Sequence, residues 1–236
     1  MSPRTEASSA RPYGGVRADE RLAARRSRFL AAGLDLLGAE QADLSALTVR
    51  GICREAGLAV RYYYESFTDK DDFVSAVFDS VVAELAATTQ AAVEPLPWSE
   101  RMRAGMSNIV RAIDGDARVG RLLFSTQLAN PVIVRKRAES SALFAMLSGQ
   151  YVGDALRMAA NDHIKAAAHF VVGGVGQTIS AWLAGDVNLR PDELVDQLAS
   201  LLKELADPKL ALPHVTETAA ATTKTSPDPA AKDASS

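Results

Sequence analysis

The chain has 236 residues, 47% of them hydrophobic, which is enough for a sizeable core in one large domain or two smaller ones. Its formal net charge of -3 gives no global sign of a nucleic-acid partner, but residues 1–70 hold 11 Lys+Arg against 9 Asp+Glu, whereas the remainder hold 15 against 20. A single cysteine, Cys53, excludes an intramolecular disulfide and suits a reducing cytoplasm.

Both ends of the chain have compositions that disfavour packing. Residues 1–16 are rich in Ser, Pro, Gly and Ala, and residues 207–236 are mainly Ala, Thr, Pro, Lys and Asp. Such segments bury too little apolar surface to offset their ordering entropy. We therefore expect a disordered arm and a disordered tail. The first 20 residues also lack the apolar stretch of a secretory signal, so we expect a cytoplasmic protein.

The first predicted helix runs from about Ala18 to Leu37 and is stopped by Gly38, with leucines at positions 30, 34 and 37 on one face. It is rich in arginine, whose planar guanidinium pairs well with phosphate. These side chains either contact nucleic acid, as an arm in a minor groove does, or stay solvated, and both readings remain open. The arginines are Arg17, Arg21, Arg25, Arg26 and Arg28.

Residues 48–67 contain two short helical patterns joined by a tight turn. Gly57 lies between them, where a sharp reversal of the chain needs a positive φ at little steric cost. Two helices joined in this way form a helix-turn-helix, whose second helix can lie in the major groove of DNA. The apolar stripe of the first helix is Val49, Ile52, Cys53 and Ala56, and the core-facing stripe of the second is Val60, Tyr63, Tyr64 and Phe67.

The later patterns are also helical, and no segment alternates with period two. Three helix starts carry capping signals: Asp69, Asn130 before a proline, and Pro191 followed by two acidic residues. A shorter helix is expected from about Ala117 to Leu128. We therefore predict an all-α fold of about nine helices, with an N-terminal three-helix helix-turn-helix domain and a larger helical ligand-binding and dimerisation domain.

The segment 169–185 is apolar enough to require a membrane check. It is shorter than the ~20 apolar residues of a membrane span and contains His169 and Gln177, so a buried helix explains it better. Glycines at positions 173, 174 and 176 permit close backbone approach, and the last helix has a broad leucine stripe. We predict that these two helices form a dimer interface; packing within one chain is the alternative.

The stretch from about residue 25 to residue 85 resembles the TetR family of transcriptional regulators. That resemblance implies a homodimer that represses transcription and leaves a palindromic operator when a small molecule occupies the C-terminal domain. The family's usual Ser at the start of the recognition helix is Ala59 here, and its common Gly is Arg61. The matching residues are Gly38, Thr48-Val49, Ile52, Ala56-Gly57-Leu58, Tyr63-Tyr64, Phe67 and Asp69-Lys70-Asp71.

Four segments follow from these patterns together with the resemblance. They are a disordered arm over 1–16, a DNA-binding domain over 17–88, a helical effector-binding and dimerisation domain over 95–206, and a disordered tail over 207–236. Beyond the motif the resemblance is architectural only.

Helical geometry directs Arg61, Tyr62 and Glu65 away from the core-facing stripe. Arg61 is a candidate for a bidentate contact with guanine, and Tyr62 for a thymine methyl group or a phosphate. Glu65 would repel phosphates unless it accepts a hydrogen bond from a cytosine amine or pairs with a neighbouring arginine. Thr48 is expected to cap its helix. The predicted DNA-binding residues are Thr48, Arg50, Ala59, Val60, Arg61, Tyr62, Tyr64 and Lys70, of which the resemblance implies phosphate contacts for Tyr64 and Lys70.

An effector pocket is expected among the middle helices, where apolar side chains combine with a few polar groups. Ordinary core packing is the alternative for each of these residues. The predicted lining consists of Met102, Met106, Phe124, Gln127, Phe144, Met146, Tyr151, Phe170 and Gln177.

The sequence contains no recognisable catalytic motif. There is no His-Glu-x-x-His, no paired cysteine, no phosphate-binding glycine loop and no Gly-x-Ser-x-Gly. We therefore predict a non-enzyme without cofactor or metal, whose partners are operator DNA, a second copy of the chain and a small-molecule effector. An effector-independent regulator and a helical protein–protein adaptor are the alternatives.

Overall fold

A computed structural model describes residues 15–42, 47–156 and 162–205. These residues form nine α-helices and no strand, so the all-α prediction is confirmed. The predicted arm and tail lie outside the described residues, except that positions 15 and 16 already belong to the first helix. The helices are α1 Gly15–Leu37, α2 Val49–Ala56, α3 Val60–Ser66, α4 Lys70–Val93, α5 Trp98–Gly115, α6 Ala117–Phe124, α7 Pro131–Leu156, α8 Asp162–Ala184 and α9 Pro191–Leu205.

Helix starts carry the caps that the sequence predicts. The Asp69 carboxylate accepts a hydrogen bond from a backbone N–H of α4 at 2.8 Å. The Asn130 side chain does the same for α7 at 2.9 Å. Pro191 begins α9, where its missing N–H costs nothing, and two acidic residues follow in the first turn.

The first core joins α2 and α3 to α1 and α4. Tyr63, Phe29 and Phe73 have no exposed surface, and the Phe29 and Tyr63 rings meet edge to face with centroids 5.8 Å apart. Leu30 and Leu34, which the sequence placed on the core face of α1, are only partly buried. Phe29 is central because its ring meets the rings of both Tyr63 and Phe67 edge to face.

The second core lies between α5, α8 and α9. Ile113 and Ile179 are each 1% exposed, and Leu194 is completely buried. Only one stripe of α8 is buried and Phe170 is 67% exposed, so the expectation of a buried helix is only partly correct. Within the described ranges, no helix combines the length and apolar character needed to cross a bilayer.

α6 connects the two cores and contacts the end of α1. Arg118 forms an ion pair with Asp35, and Arg121 Nε donates to the Gly38 carbonyl at 2.5 Å. A Cβ on Gly38 would lie 2.6 Å from Arg118 Cβ, closer than side chains approach. Gly38, which ends α1, therefore also allows α6 to pack closely against this end.

The end of α6 is fixed by a side chain of α7. α6 stops at Phe124 and not near Leu128 as predicted, since the following residue has extended backbone. The Arg137 guanidinium donates to the carbonyls of Leu122 and Ser125, each at 2.7 Å. Burial lowers the pKa of Arg137, and the carbonyl dipoles offset the loss of solvation.

Candidate nucleic-acid interface

The turn between α2 and α3 depends on Gly57. Its backbone has φ 61° and ψ 37°, the left-handed conformation that the sequence predicted. The Gly57 N–H donates to the Arg54 carbonyl at 3.2 Å and the Leu58 N–H to the Cys53 carbonyl at 2.9 Å. These two bonds form a Schellman motif, which ends α2 and sets the direction of α3.

The first motif helix begins as predicted. Thr48 Oγ1 accepts a hydrogen bond from the Gly51 N–H at 3.1 Å. Arg50 is exposed in the first turn of the same helix. Ala59, in contrast, makes no side-chain cap to α3, and the Tyr62 N–H donates to its carbonyl at 3.0 Å. The second helix therefore depends more on packing than on its own cap.

Tyr63 anchors α3 in the first core. It is fully buried, and its hydroxyl donates to the Asp69 carbonyl at 2.9 Å. Burial raises the pKa of Tyr63, because desolvation penalises the phenolate. Phe67 lies next to it, with ring centroids 5.4 Å apart. These two residues, about one helical turn apart, hold α3 in place.

The prediction that Val60 and Tyr64 face the core was wrong. Val60 is 41% exposed and Tyr64 62% exposed. α3 has only seven residues, and only a narrow stripe of its surface packs on the core. One residue per turn is enough to cover that stripe. The Tyr64 ring lies beside that contact, nearly perpendicular to the Tyr63 ring, with the ring centroids 5.4 Å apart.

Arg61 and Tyr62 form a pair on the outer side of α3. Arg61 is exposed, and its Nη2 donates to the Tyr62 hydroxyl at 2.5 Å. This hydrogen bond raises the pKa of Arg61. Tyr62 is half-buried against the first core. Its predicted outward position is therefore correct for the hydroxyl group, whereas its ring packs on the core. Lys70 is exposed in the first turn of α4.

Three arginines of α1 contact the helix-turn-helix. Arg28 donates to the Ala56 carbonyl at 2.8 Å, and Arg26 donates to the Ser66 carbonyl. Arg25 forms an ion pair with Glu65 at 3.2 Å. Pairing with a neighbouring arginine was one of the two ways in which the sequence allowed the Glu65 charge to be neutralised.

Each of these three arginines thus has a partner within the protein, which neither sequence reading anticipated, and a contact of these side chains with DNA stays a prediction. The side chain of Arg17 lies outside the described residues, and Arg21 is exposed. The partners of Arg25 and Arg26 are 40 residues away in sequence, beyond the reach of any local pattern.

Most of the described residues that were predicted to line an effector pocket are exposed. Met106 and Phe124 are partly buried beside the second core. The side chain of Tyr151 lies outside the described residues. Of the remaining six, Met102, Phe144, Met146 and Phe170 are 38–67% exposed, and Gln127 and Gln177 are exposed too.

A cleft of about 400 Å³ lies elsewhere, between the end of α1 and the loop after α6. Its walls include Leu37, Glu40, Arg121 and Ser125. Gln127 also lines it, and the other described residues of the predicted pocket do not.

No protein-family model matches this chain, and neither does any curated protein. Solved structures do match. A putative TetR-family regulator from Syntrophomonas wolfei has a TM-score of 0.64 at 14% identity, covering 78% of this chain and 95% of its own. A putative transcriptional regulator from Pseudomonas aeruginosa PAO1 has a TM-score of 0.63 at 16% identity, covering 80% and 93%.

A third similar structure is the regulator FadR from Bacillus subtilis, solved in complex with stearoyl-CoA. Its TM-score is 0.57 at 16% identity, and the match covers 77% of this chain and 97% of that one. At identities this low, the similarity shows the fold alone. The chain has the fold of the TetR-family transcriptional regulators.

Proposed function

We propose that this protein is a sequence-specific DNA-binding transcriptional regulator that acts as a homodimer. The observation that carries the proposal is the geometry of the helix-turn-helix. Gly57 reverses the chain, Tyr63 anchors α3, and Arg61 and Tyr64 remain exposed on the same short helix. The fold shared with TetR-family regulators supports the same function.

α3 is the helix that enters the major groove in this proposal. Arg61 offers two parallel N–H groups to the O6 and N7 atoms of guanine. The small Ala59 and Val60 side chains allow the helix to approach the bases closely, and Tyr62 contacts a thymine methyl group or a phosphate. The phosphate contacts come from Thr48, Arg50, Tyr64 and Lys70, which position the protein without reading sequence.

The homodimer is supported by apolar surface on the last two helices. Phe170 is 67% exposed on α8, and a Cβ added to Gly173 or Gly174 would meet nothing within 4 Å. Leu201 and Leu205 are 43% and 39% exposed on α9. One recognition helix reads only a few base pairs, so a symmetric dimer on a palindromic site provides the missing specificity.

We further propose that the regulator is a repressor that a small molecule releases from its operator. The support is the shared fold, since FadR of Bacillus subtilis was solved in complex with stearoyl-CoA. Long-chain acyl-CoA is therefore the first effector class to test, beside bulky uncharged apolar compounds. An effector should raise the melting temperature of the free protein and lower its affinity for DNA by linkage.

The experiment that tests the proposed function is selection of duplexes by the purified chain from a random library. We expect enrichment of a palindrome whose half-sites are separated by about one helical turn. Light scattering should show a dimer in solution and one dimer on each selected duplex. Failure to enrich any sequence would reject the regulator and favour a helical adaptor. A thermal shift without loss of DNA affinity would favour an effector-independent regulator.

A further inference from the structure

Arg25 contacts two side chains of the recognition helix at once. Its Nη2 lies 3.2 Å from Glu65 Oε2, and its Cζ lies 4.3 Å from the centroid of the Tyr62 ring. The Arg25 side chain is 25% exposed and that of Glu65 is 45% exposed. Arg25 Nε is buried and has no hydrogen-bond partner among the described atoms. The guanidinium is thus held by a ring face on one side and a carboxylate at its end.

The two neighbouring arginines of α1 contact the motif differently. Arg28 donates to the carbonyls of Ala56 and Gly57, at 2.8 Å and 3.4 Å. Arg26 donates to the carbonyl of Ser66. Both bind backbone oxygens at helix ends, a role in folding stability. Among the described residues, the contacts of Arg25 are with side chains of the face that would read DNA, so its loss should change that face more than the fold.

Glu65 is an obstacle on a helix that approaches phosphates. An unpaired carboxylate there repels the duplex, and the repulsion is weakly screened at low ionic strength. Arg25 cancels this charge from within the protein, since it lies on α1 and not on α3. Arg50, Arg61 and Lys70 then remain exposed cations of the surface.

Tyr62 links Arg25 to Arg61. Arg61 Cζ lies 4.5 Å from the centroid of the ring whose face Arg25 also contacts, and Arg61 Nη2 donates to the hydroxyl of that ring. A cation beside an aromatic ring is attracted by the negative face of the ring. The ring therefore has a preferred orientation before DNA arrives, and Arg61 is ordered along it.

We propose that Arg25 is a positioning residue for DNA recognition: it neutralises Glu65 and orients the Tyr62–Arg61 pair. The proposal rests on the proposed DNA-binding function. Arg25 itself reads no base and contacts no phosphate. It therefore predicts two separable effects, one on general affinity through charge and one on base preference through orientation.

The charge effect is measured by fluorescence anisotropy with a random-sequence duplex. Arg25→Ala should weaken binding about three- to tenfold at low salt. Adding Glu65→Gln to that variant should return the affinity to within about twofold of wild type. Arg28→Ala is the matched control, because any loss it causes should not be restored by Glu65→Gln. A folded Arg25→Ala/Glu65→Gln variant that stays as weak as Arg25→Ala would overturn the proposal.

The orientation effect is measured as the ratio of affinities for the duplex selected by wild-type protein and the random duplex. Arg25→Ala should lower this ratio, and Glu65→Gln should not restore it. Arg25→Lys keeps the charge but lacks the planar face, so it should keep general affinity and still lower the ratio. It also serves if Arg25→Ala does not fold. An unchanged ratio in Arg25→Lys would overturn the proposal, whereas absence of wild-type binding would reject the proposed function itself.

Discussion

Arg28 Nη2 lies 2.8 Å from the carbonyl oxygen of Ala56, so a side chain of α1 closes the end of α2. The last carbonyls of a helix have no partner within the helix, and a guanidinium supplies one. Gly57, the next residue, leaves the helix in the left-handed conformation. The orientation of the motif against α1 is thus fixed at the point where the chain turns.

Arg28→Ala should destabilise the protein by about 1 kcal/mol, because the Ala56 carbonyl loses a charged donor. The measurement is the free energy of unfolding from urea titration. Arg21→Ala, an exposed change on the same helix, is the control and should leave stability within about 0.5 kcal/mol. Equal stabilities for the two variants would show that the contact contributes nothing.

Gly57→Ala should destabilise by about 1–2 kcal/mol, since a side chain at φ 61° is strained. Gly57→Asn should cost less, because asparagine tolerates this conformation better. Gly115→Ala is the control: it lies at the end of α5, and its added Cβ would meet nothing within 4 Å. Thermal unfolding of the three variants tests the order, and an alanine as stable as wild type at position 57 would contradict it.

Thr48→Ala should lower stability by about 1 kcal/mol, because the Gly51 N–H loses its cap. Thr48→Ser retains an oxygen at the same place and should stay near wild type. The same pair of variants separates stability from DNA contact. If Thr48 also touches a phosphate, the alanine should weaken DNA binding at temperatures where it is fully folded, and the serine should not.

Tyr63 should make stability fall at high pH. Its pKa is raised in the folded state by burial, so the unfolded chain releases the proton first. The contribution is complete below the unfolded pKa of about 10 and is lost as pH rises further. Tyr63→Phe should be less stable at neutral pH by about 1 kcal/mol, through the lost bond to Asp69. Urea unfolding of both proteins from pH 7 to 11 should show the difference shrinking, and a constant difference would contradict this assignment.

Local patterns predicted the helices and the turn of the motif well. Thr48, Gly57, Asp69 and Asn130 each act on backbone within three residues, so their roles can be inferred from neighbouring sequence. Of the apolar stripe predicted for α2, Ile52, Cys53 and Ala56 are buried and Val49 is partly buried. Burial raises the pKa of the Cys53 thiol.

Features that depend on distant segments could not be predicted. Val60 and Tyr64 fit a helical period, yet the width of the contact with α1 leaves them exposed. Arg25, Arg26 and Arg28 looked like a basic arm, because their partners lie 28 to 40 residues away. The effector pocket stays a prediction, because composition alone does not determine which helix faces enclose a cavity.

In the proposed complex, Arg61 reads a base while Lys70 binds a phosphate. The most direct measurement is the affinity of Arg61→Ala and Lys70→Ala for the selected duplex and its single-base variants across a salt series. Arg61→Ala should cost about 1–3 kcal/mol and lose discrimination at one position of each half-site, whereas Lys70→Ala should weaken all duplexes alike and lower the salt slope by about one. Unchanged base preference in Arg61→Ala together with an unchanged salt slope in Lys70→Ala would contradict both assignments.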